Sequence, residues 1–383
     1  MQNFEYYNPV HLVFGKGTIG RLAELVPAEA KVLLLYGGGS IKKNGVYDQV
    51  LAALDGFSMV EFPGIEPNPT YETCMKAVEV IREQGCDFLL AVGGGSVIDG
   101  AKFIAAAATY TGGDPWDLLV GAEVGDPLPL GAVLTLPATG TEMNGNSVIS
   151  RRETSEKMVL SDPSLLPLFS ILDPAVTITL PERQTVNGVV DTFVHVMEQY
   201  MTVGSDAPLQ DRFSEGIVST LVEIGPELLQ RPDDYELRAN MMWCATTGLN
   251  GLIACGVDQD WSTHMIGHEL TAFYGLDHAV TLAIVLPRLW RYTRSYKEPK
   301  LAQFARRVWG IDTADDVTAA TEAIERTEAF FRSLGVKTRL AEHGIEAAEA
   351  AERIFARFAE RGCVLGERGL VDAELTRKIV SEC

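Results

Sequence analysis

Residues 86–108 read CDFLLAVGGGSVIDGAKFIAAAA, and this order of residue types predicts a strand, a glycine turn and a helix. A short continuous apolar run indicates a strand that is buried on both faces, as in a parallel sheet. The same pattern occurs at 31–54 (KVLLLYGGGSIKKNGVYDQVLAAL), and residues 131–144 (GAVLTLPATGTEMN) repeat the strand and the turn without the long helix. Strands that alternate with helices predict an α/β layer built on a parallel sheet.

The two halves of the chain differ in their hydrophobic periodicity. Residues 4–14 (FEYYNPVHLVF) predict one more strand, near a sheet edge because of Pro9. From about residue 181 the strand patterns fade, and apolar residues recur at helical spacing. We therefore predict an α/β, Rossmann-like dinucleotide-binding domain at 1–180 and an all-helical domain at 181–383. The change of domain is expected within the proline-marked segment 171–184.

The composition limits the classes of partner. The 383 residues carry a net charge of −20, with 46% hydrophobic and 22% charged residues, which is typical of a soluble globular protein. Such acidity disfavours binding to nucleic acid and to anionic membrane surfaces, so we expect a small-molecule partner. The start of the chain lacks the pattern of a signal peptide, and no apolar run is long enough to cross a bilayer. Six cysteines without a CxxC pair indicate reduced thiols and a cytoplasmic location.

The two GGGS turns are candidate phosphate-binding sites. Each follows an apolar strand and precedes a helical pattern, so backbone N–H groups and a helix N-terminus can face an anion. Flexible turns also use such glycines, but two copies in the same context favour phosphate binding. Neither matches the usual dinucleotide fingerprint or the Walker loop. The second turn, Gly93–Ser96, is the better pyrophosphate site because its helix begins at once.

The residues after the first turn bear on the choice of nicotinamide cofactor. An acidic residue is expected there when a free ribose 2′-hydroxyl is bound. This chain has Ser40, Lys42 and Lys43 instead, which suits a 2′-phosphate. The alternative is that both lysines are ordinary solvated residues.

Four histidines and one aspartate indicate a divalent-metal site in the helical half. Asp191 and His195 are four residues apart, as are His264 and His268, and His278 follows after a turn. Three histidines with one carboxylate suit Zn²⁺ or Fe²⁺ better than Ca²⁺ or Mg²⁺. Spacing alone does not decide which of the five groups is left out of a four-ligand site.

The motifs together resemble the iron-containing (group III) alcohol dehydrogenases. The resemblance rests on GGGS-x-x-D-x-x-K at 93–102, LPATGTE at 136–142, Asp-x-x-x-His at 191–195 and His-x-x-x-His-x9-His at 264–278. It runs from Asn3 to the C-terminal helices. GGGSIKKNGVYDQV, GIEPNP and GVVDTFVHVMEQY are especially similar to the NADPH-dependent butanol dehydrogenase and aldehyde reductase branch of this family.

The resemblance implies a role for each matching residue. It makes Asp191, His195, His264 and His278 the metal ligands, and it places His268 towards the nicotinamide and the substrate. It sets Asp99 near the reacting end of the cofactor and implies a dehydroquinate synthase-like architecture. The cofactor contacts that it implies are Gly37, Gly38, Gly39, Ser40, Lys43, Asn68, Gly93, Gly94, Gly95, Ser96, Asp99, Thr135, Thr139, Asn144, Lys157 and Thr179.

The implied reaction is hydride transfer between NADP(H) and a small aliphatic aldehyde or primary alcohol, at one bound Fe²⁺ or Zn²⁺. His268 is the candidate proton donor, and Phe273 and Tyr274 are expected to shape the site. The NAD-linked members place an aspartate in the first turn, whereas this chain has glycines and Ser40, which favours NADP(H). The usual Pro-His-Gly around the last ligand is Asp277-His278-Ala279 here, a departure expected to affect substrate more than metal. The family also implies a homodimer formed through the N-terminal edge strand.

Two other classes of function remain open at this point. The same architecture serves metal-dependent lyases such as dehydroquinate synthase, and polyol dehydrogenases such as glycerol dehydrogenase. A lyase of that kind binds a polyanion, and no additional basic cluster occurs near 191–278. A non-catalytic nucleotide-binding or metal-storage protein leaves the joint presence of phosphate turns and metal ligands unexplained.

Overall fold

The parallel sheet predicted from the apolar runs forms the centre of the N-terminal half and has six strands. The structure is a computed structural model that describes residues 1–204 and 206–383. The strands of this sheet are β1 (His11–Phe14), β2 (Lys31–Tyr36), β3 (Ser58–Pro63), β4 (Phe88–Gly94), β5 (Leu130–Leu136) and β8 (Phe169–Leu172). Their order across the sheet is β1-β8-β5-β4-β2-β3, and every neighbouring pair is parallel.

The central strands are buried on both faces, as their continuous apolar runs predict. Leu33 and Leu35 of β2 pack into one hydrophobic core, whereas Val32 and Leu34 pack into another. Successive side chains of a strand point to opposite faces, so these are the two faces of the sheet. The helices of this half are α1 (Leu22–Leu25), α2 (Ser40–Lys43), α3 (Val46–Ala53), α4 (Tyr71–Gln84) and α5 (Gly95–Thr109).

The edge strand is shorter than the sequence pattern predicts. The structure has β1 at His11–Phe14 in place of a strand over 4–14, and its edge position is confirmed by the strand order. Pro9 has no N–H group for a ladder hydrogen bond, which accounts for the late start. The last strand, β8, ends at Leu172, so it overlaps only the first two residues of the segment 171–184 that was expected to mark the change of domain.

A two-stranded antiparallel hairpin was not predicted. It consists of β6 (Asn146–Arg151) and β7 (Glu156–Ser161), with Val148 opposite Val159. Its strands alternate polar and apolar residues only weakly, so they lack the continuous apolar run that identifies the strands of the main sheet.

The chain forms two compact units. The α/β unit consists of Tyr7–Pro181 with Pro232–Thr246, and the helical unit consists of Met1–Tyr6, Glu182–Arg231 and Thr247–Cys383. A single division after residue 180 differs from these units in the first six residues, in residue 181 and in residues 232–246. The fold class predicted above, a parallel α/β region together with an all-helical region, is confirmed.

The helical unit is built around long helices. The helices from residue 182 onward are α6 (Glu182–Tyr200), α7 (Pro208–Gln230), α8 (Tyr235–Gly248), α9 (Ser262–Tyr274), α10 (His278–Arg307), α11 (Asp316–Ser333), α12 (Ala347–Arg361) and α13 (Ala373–Ser381). Most of α8 belongs to the α/β unit. Within the part of the chain that the structure describes, no helix combines the length and the apolar character needed to cross a bilayer.

Candidate metal centre and nucleotide-binding turns

Helix α6 carries two of the predicted ligands through the interior of the helical unit. Almost every residue from Thr185 to Tyr200 is buried. Asp191 and His195 lie on the same face of this helix because they are four residues apart, and both are buried. A buried carboxylate and imidazole need partners that compensate for lost hydration.

The other three histidines lie around one turn. His264 and His268 are on α9, which ends at Gly275 with a left-handed φ of 68°. Glycine adopts this conformation without a side-chain clash, so the chain can reverse there. Helix α10 then begins at His278, which returns the third imidazole to the other two.

The side chains meet around one carboxylate oxygen. Ligand atoms of Asp191, His195 and His264 all lie within 4.8 Å of one another. Asp191 Oδ1 is 3.2 Å from His195 Nδ1, 3.8 Å from His264 Nε2 and 3.7 Å from His278 Nε2. The ring centre of His268 is 5.1 Å from that of His278 and 6.2 Å from that of His264. The structure therefore brings all five groups together.

The donor set fits a divalent metal ion. His195 Nδ1 lies 2.8 Å from the carbonyl oxygen of Asp191, a contact in which the imidazole donates and keeps Nε2 unprotonated. Burial lowers the pKa of His195 to about 4, so this imidazole is neutral at physiological pH, as a ligand must be. The Nε2 atom of His264 is buried and has no hydrogen-bond partner among the described residues. One carboxylate with neutral imidazoles is a typical ligand set for Zn²⁺ or Fe²⁺.

Sequence reasoning missed a second buried carboxylate at this centre, Glu198. It lies on α6, seven residues after Asp191 and three after His195, and it contacts the imidazole of His264. Burial opposes the charged form of His264, but the carboxylates of Glu198 and Asp191 outweigh it and raise the pKa of His264 to about 9, so a metal ion would displace a proton from this ring on binding. The i, i+4, i+7 spacing on one helix was the available signal for this residue.

Two neighbouring residues make contacts that the sequence did not predict. Phe273 contacts two guanidinium groups, with its ring centre 4.0 Å from the Cζ atom of Arg353 and 4.0 Å from that of Arg357. Asp277, the residue that replaces the usual proline, accepts hydrogen bonds from Arg183 at 2.6 and 2.5 Å and from Asn187 at 3.0 Å. These bonds tie the start of α10, and with it His278, to α6.

In the α/β unit, the second glycine turn is tightly packed. A Cβ atom on Gly93 would lie 2.7 Å from Val97 Cβ, and one on Gly94 would lie 2.9 Å from Leu136 Cβ. One on Gly95 would lie 2.8 Å from Thr139 Oγ1. Only glycine fits these three positions. Helix α5, which is 15 residues long, begins at Gly95. Gly94 is its N-cap and has no side chain to accept from the first N–H groups, so these groups are available to an anion.

Three predicted cofactor contacts lie together beside this turn. Lys157 donates to Asn68 Oδ1 at 2.9 Å, and the N–H of Asn68 donates to Ser96 Oγ at 3.3 Å. Asn68 has a left-handed φ of 54°, a conformation that asparagine tolerates better than most residues. A lysine and an asparagine are thus held at the beginning of α5.

Two other predicted residues form part of a buried network that holds the turn after β5. Asp99 accepts from Thr141 Oγ1 at 2.6 Å and from the N–H of Val148 at 3.1 Å. Asn144 donates to the carbonyl of Gly140 at 2.9 Å, and Lys102 donates to the carbonyl of Thr141 at 2.6 Å. Burial raises the pKa of Asp99 and lowers the pKa of Lys102 to about 8. Thr135 lies buried near the end of β5.

The first glycine turn is more open. Gly39 has a left-handed φ of 94°, and a Cβ atom on Gly38 or Gly39 would meet nothing within 4 Å. Ser40 and Lys43 are exposed. Thr179 accepts a hydrogen bond at 3.4 Å from Asn44, the residue that follows α2. The turn and Thr179 are therefore close in space.

The ammonium group of Lys42 contacts three neighbouring side chains. Its ammonium group lies 5.1 Å from the ring centre of Tyr36 and 4.3 Å from that of Tyr47, and it is 3.5 Å from Glu61 Oε2. Both tyrosine hydroxyls donate to the same carboxylate, at 2.7 and 2.6 Å. Of the two lysines after this turn, Lys43 is the better candidate for a phosphate contact.

Comparisons with known proteins confirm the family resemblance. Residues 9–174 match the family described as iron-containing alcohol dehydrogenase, and residues 185–368 match its C-terminal region. The chain is 52% identical to the NADPH-dependent aldehyde reductase YqhD of Escherichia coli (strain K12), over 99% of each chain. It is 46% identical to the probable NADH-dependent butanol dehydrogenase 1 of Bacillus subtilis (strain 168), over 90% of each. The crystal structure of E. coli YqhD superposes with a TM-score of 0.97, covering 99% of this chain and 98% of that one.

Proposed function

This chain belongs to the iron-containing alcohol dehydrogenase family, and we propose that it transfers a hydride between NADP(H) and a small aliphatic aldehyde or primary alcohol. The buried group of Asp191, His195 and His264, whose ligand atoms lie within 4.8 Å of one another, is the main observation behind this proposal. The similar proteins are an aldehyde reductase and a butanol dehydrogenase, so the lyase and polyol dehydrogenase alternatives are not favoured.

We assign the metal to four side chains: Asp191, His195, His264 and His278. All three imidazoles approach Asp191 Oδ1, and His278 is tied in place through its neighbour Asp277. A bound Fe²⁺ or Zn²⁺ supplies a Lewis acid for the carbonyl oxygen of the aldehyde.

His268 and Asp99 are assigned to the reacting end of the site. His268 is buried beside the ligand histidines, and an imidazole there can hold or deliver the proton that the product alcohol needs. Both oxygens of Asp99 already accept hydrogen bonds, so we give Asp99 an orienting role rather than a proton-transfer role.

The cofactor is assigned to the two glycine turns. Gly93 to Ser96 bind the pyrophosphate with backbone N–H groups at the start of α5, with Asn68, Thr139 and Lys157 beside them. Ser40 and Lys43, which are exposed at the first turn, would hold the 2′-phosphate of NADP(H). The remaining contacts that we propose are Gly37, Gly38, Gly39, Thr135, Asn144 and Thr179.

We also propose a homodimer in the cytoplasm. The edge strand β1 carries the exposed ring of Phe14, which packs on exposed Trp243 at 6.0 Å, and Tyr7 is 78% exposed nearby in sequence. Exposed aromatic residues at a sheet edge suit a protein interface. All six cysteines are free thiols, as expected in a reducing compartment.

One assay tests the activity. The protein is loaded with Fe²⁺ or Zn²⁺ and mixed with butyraldehyde and NADPH, and the absorbance of the reduced nicotinamide is followed. We expect the absorbance to fall, and faster than with NADH. Protein that binds metal but oxidises no NADPH with any short aldehyde contradicts the proposal.

A pair of variants tests the division among the histidines. His264→Ala is expected to lose both metal and activity, because it removes a ligand. His268→Asn is expected to retain metal, measured by elemental analysis, and to lose rate. Loss of metal from His268→Asn shows that the ligands are assigned wrongly.

A further inference from the structure

Glu198 lies on the same face of α6 as two predicted metal ligands. Asp191, His195 and Glu198 are at positions i, i+4 and i+7, so their side chains follow one another along the helix. Glu198 is only 3% exposed. A buried carboxylate of this kind needs compensating donors, and the identity of its donors indicates its role.

Both oxygens of Glu198 are engaged by the first turn of α9. Oε1 accepts a hydrogen bond from the N–H of Thr263 at 2.5 Å, and Oε2 accepts from the N–H of His264 at 3.2 Å. Oε2 also contacts the Nδ1 atom of His264. The carboxylate thus binds the backbone and the side chain of the same histidine.

This contact selects one tautomer of His264. A carboxylate at Nδ1 holds the proton there and leaves Nε2 unprotonated. Nε2 is the atom that faces Asp191 Oδ1, at 3.8 Å. Metal-bound histidines usually donate their other N–H to a carboxylate or a carbonyl, which fixes the ring and increases its basicity as a ligand. In His195 the corresponding acceptor is the backbone carbonyl of Asp191, which accepts a hydrogen bond from Nδ1.

We propose that Glu198 is a positioning residue for the metal centre, which holds the ring and the tautomer of His264 so that Nε2 can bind the ion. The inference rests on the metal site assigned under the proposed function. Glu198 also adds a negative charge to the centre. When the imidazoles are neutral, the carboxylates of Asp191 and Glu198 together balance the charge of a divalent cation.

A purely structural role for Glu198 makes a different prediction. The carboxylate also accepts from backbone N–H groups at the start of α9, and this capping alone stabilises the helix. Glu198→Gln keeps the size of the side chain and one acceptor oxygen for the cap. It removes the charge and the acceptor at His264 Nδ1, so only the positioning role predicts a specific loss of metal affinity.

Glu215 supplies a matched control. Its carboxylate is also buried in the helical unit, and it accepts from Tyr200 at 3.0 Å, Arg212 at 2.9 Å and Arg307 at 2.9 Å. Glu215→Gln therefore also neutralises a buried, hydrogen-bonded carboxylate, and its hydrogen-bond partners among the described residues do not include a proposed metal ligand.

The experiment measures Co²⁺ and Zn²⁺ binding to the full chain after removal of its metal, by competition with a chelator, without nucleotide or aldehyde. We expect Glu198→Gln to weaken binding about 10- to 100-fold and to shift the visible spectrum of the Co²⁺ form. Glu215→Gln is expected to change affinity by less than about twofold. The unfolding temperature of each variant is measured in parallel.

Equal affinity of the wild type and Glu198→Gln overturns the inference, as does an equal loss in Glu215→Gln. If Glu198→Gln does not fold, Glu198→Asp replaces it, since the shorter carboxylate keeps the charge but cannot span the same distance. Weaker metal binding is again expected, and unchanged binding overturns the inference. The wild type can fail the butyraldehyde assay while Glu198→Gln still binds metal more weakly than the wild type. That combination contradicts only the proposed activity, not the positioning role of Glu198.

Discussion

The two glycine turns have the same four residues and different local structures. In the first, Gly37–Ser40, Gly39 adopts a left-handed φ of 94°, and the turn leads into a four-residue helix. In the second, Gly93–Ser96, all three glycines lie outside the left-handed region, and the turn leads into a 15-residue helix. The first turn needs glycine for its backbone conformation, whereas the second needs it because no side chain fits. Identical sequence therefore serves two different physical requirements.

The largest effect is expected from Gly95→Ala in the second turn. The added methyl group overlaps Thr139 Oγ1 at 2.8 Å, and such overpacking costs about 1–3 kcal/mol in the free energy of unfolding. Displaced N–H groups lose hydrogen bonds to the charged pyrophosphate, about 1.5–3 kcal/mol, so NADPH affinity falls about 10- to 150-fold. Fluorescence titration with NADPH measures the affinity, and urea unfolding measures stability. Unchanged affinity means that this turn does not hold the cofactor.

Gly39→Asp in the first turn is expected to change cofactor preference. A carboxylate near the 2′-phosphate repels it, so the preference for NADPH over NADH falls about 10- to 100-fold, or about 1.4–2.8 kcal/mol. Gly39→Asn is the matched control because it has the same size and the same backbone strain without the charge. Steady-state kinetics with both cofactors measure the ratio. An equal change in Gly39→Asn assigns the effect to strain, and equal use of both cofactors by the wild type contradicts the NADP(H) assignment.

Lys43→Ala is expected to have a smaller effect, confined to NADPH. An exposed ion pair contributes about 1 kcal/mol, so the KM for NADPH rises about fivefold while that for NADH stays constant. The double variant Lys42→Ala/Glu61→Gln is the control, since it removes a lysine from the same helix without changing the net charge. If the double variant loses NADPH affinity and Lys43→Ala does not, the phosphate contact belongs to Lys42.

Gly38→Ala should have the smallest effect, a slight stabilisation. Gly38 has no left-handed φ, and an added Cβ atom meets nothing within 4 Å. Replacing such a glycine reduces the freedom of the unfolded chain and adds about 0.4–1 kcal/mol to the free energy of unfolding. Urea unfolding measures this change. A loss as large as that of Gly95→Ala shows that the two turns do not differ as described.

The sequence predicted the parts of the fold that depend on local pattern. The apolar runs of β2, β4 and β5 identified the central strands because burial on both faces requires continuous apolar residues. The hairpin of β6 and β7 was missed because half-exposed strands lack such a run.

The metal centre was likewise predictable only where it depends on local sequence pattern. The spacing of Asp191 and His195 on α6 indicated ligands, since both lie on one helix. The same spacing puts Glu198 on this face of α6, but its contact with His264 could not be predicted without knowing that α6 and α9 are neighbours. The engagement of Lys42 by Glu61 depends likewise on the pairing of β2 with β3.

The interleaved path of the chain limits how this protein can be recombined with its relatives. Residues 232–246 belong to the α/β unit, where Met242 joins the hydrophobic core and Thr246 donates to the buried carboxylate of Glu142. A chimera with one crossover at residue 181 therefore pairs a foreign segment with this core and separates Glu142 from its native donor. Gene-shuffling designs need four crossovers, near residues 6, 181, 231 and 246, to exchange the unit intact.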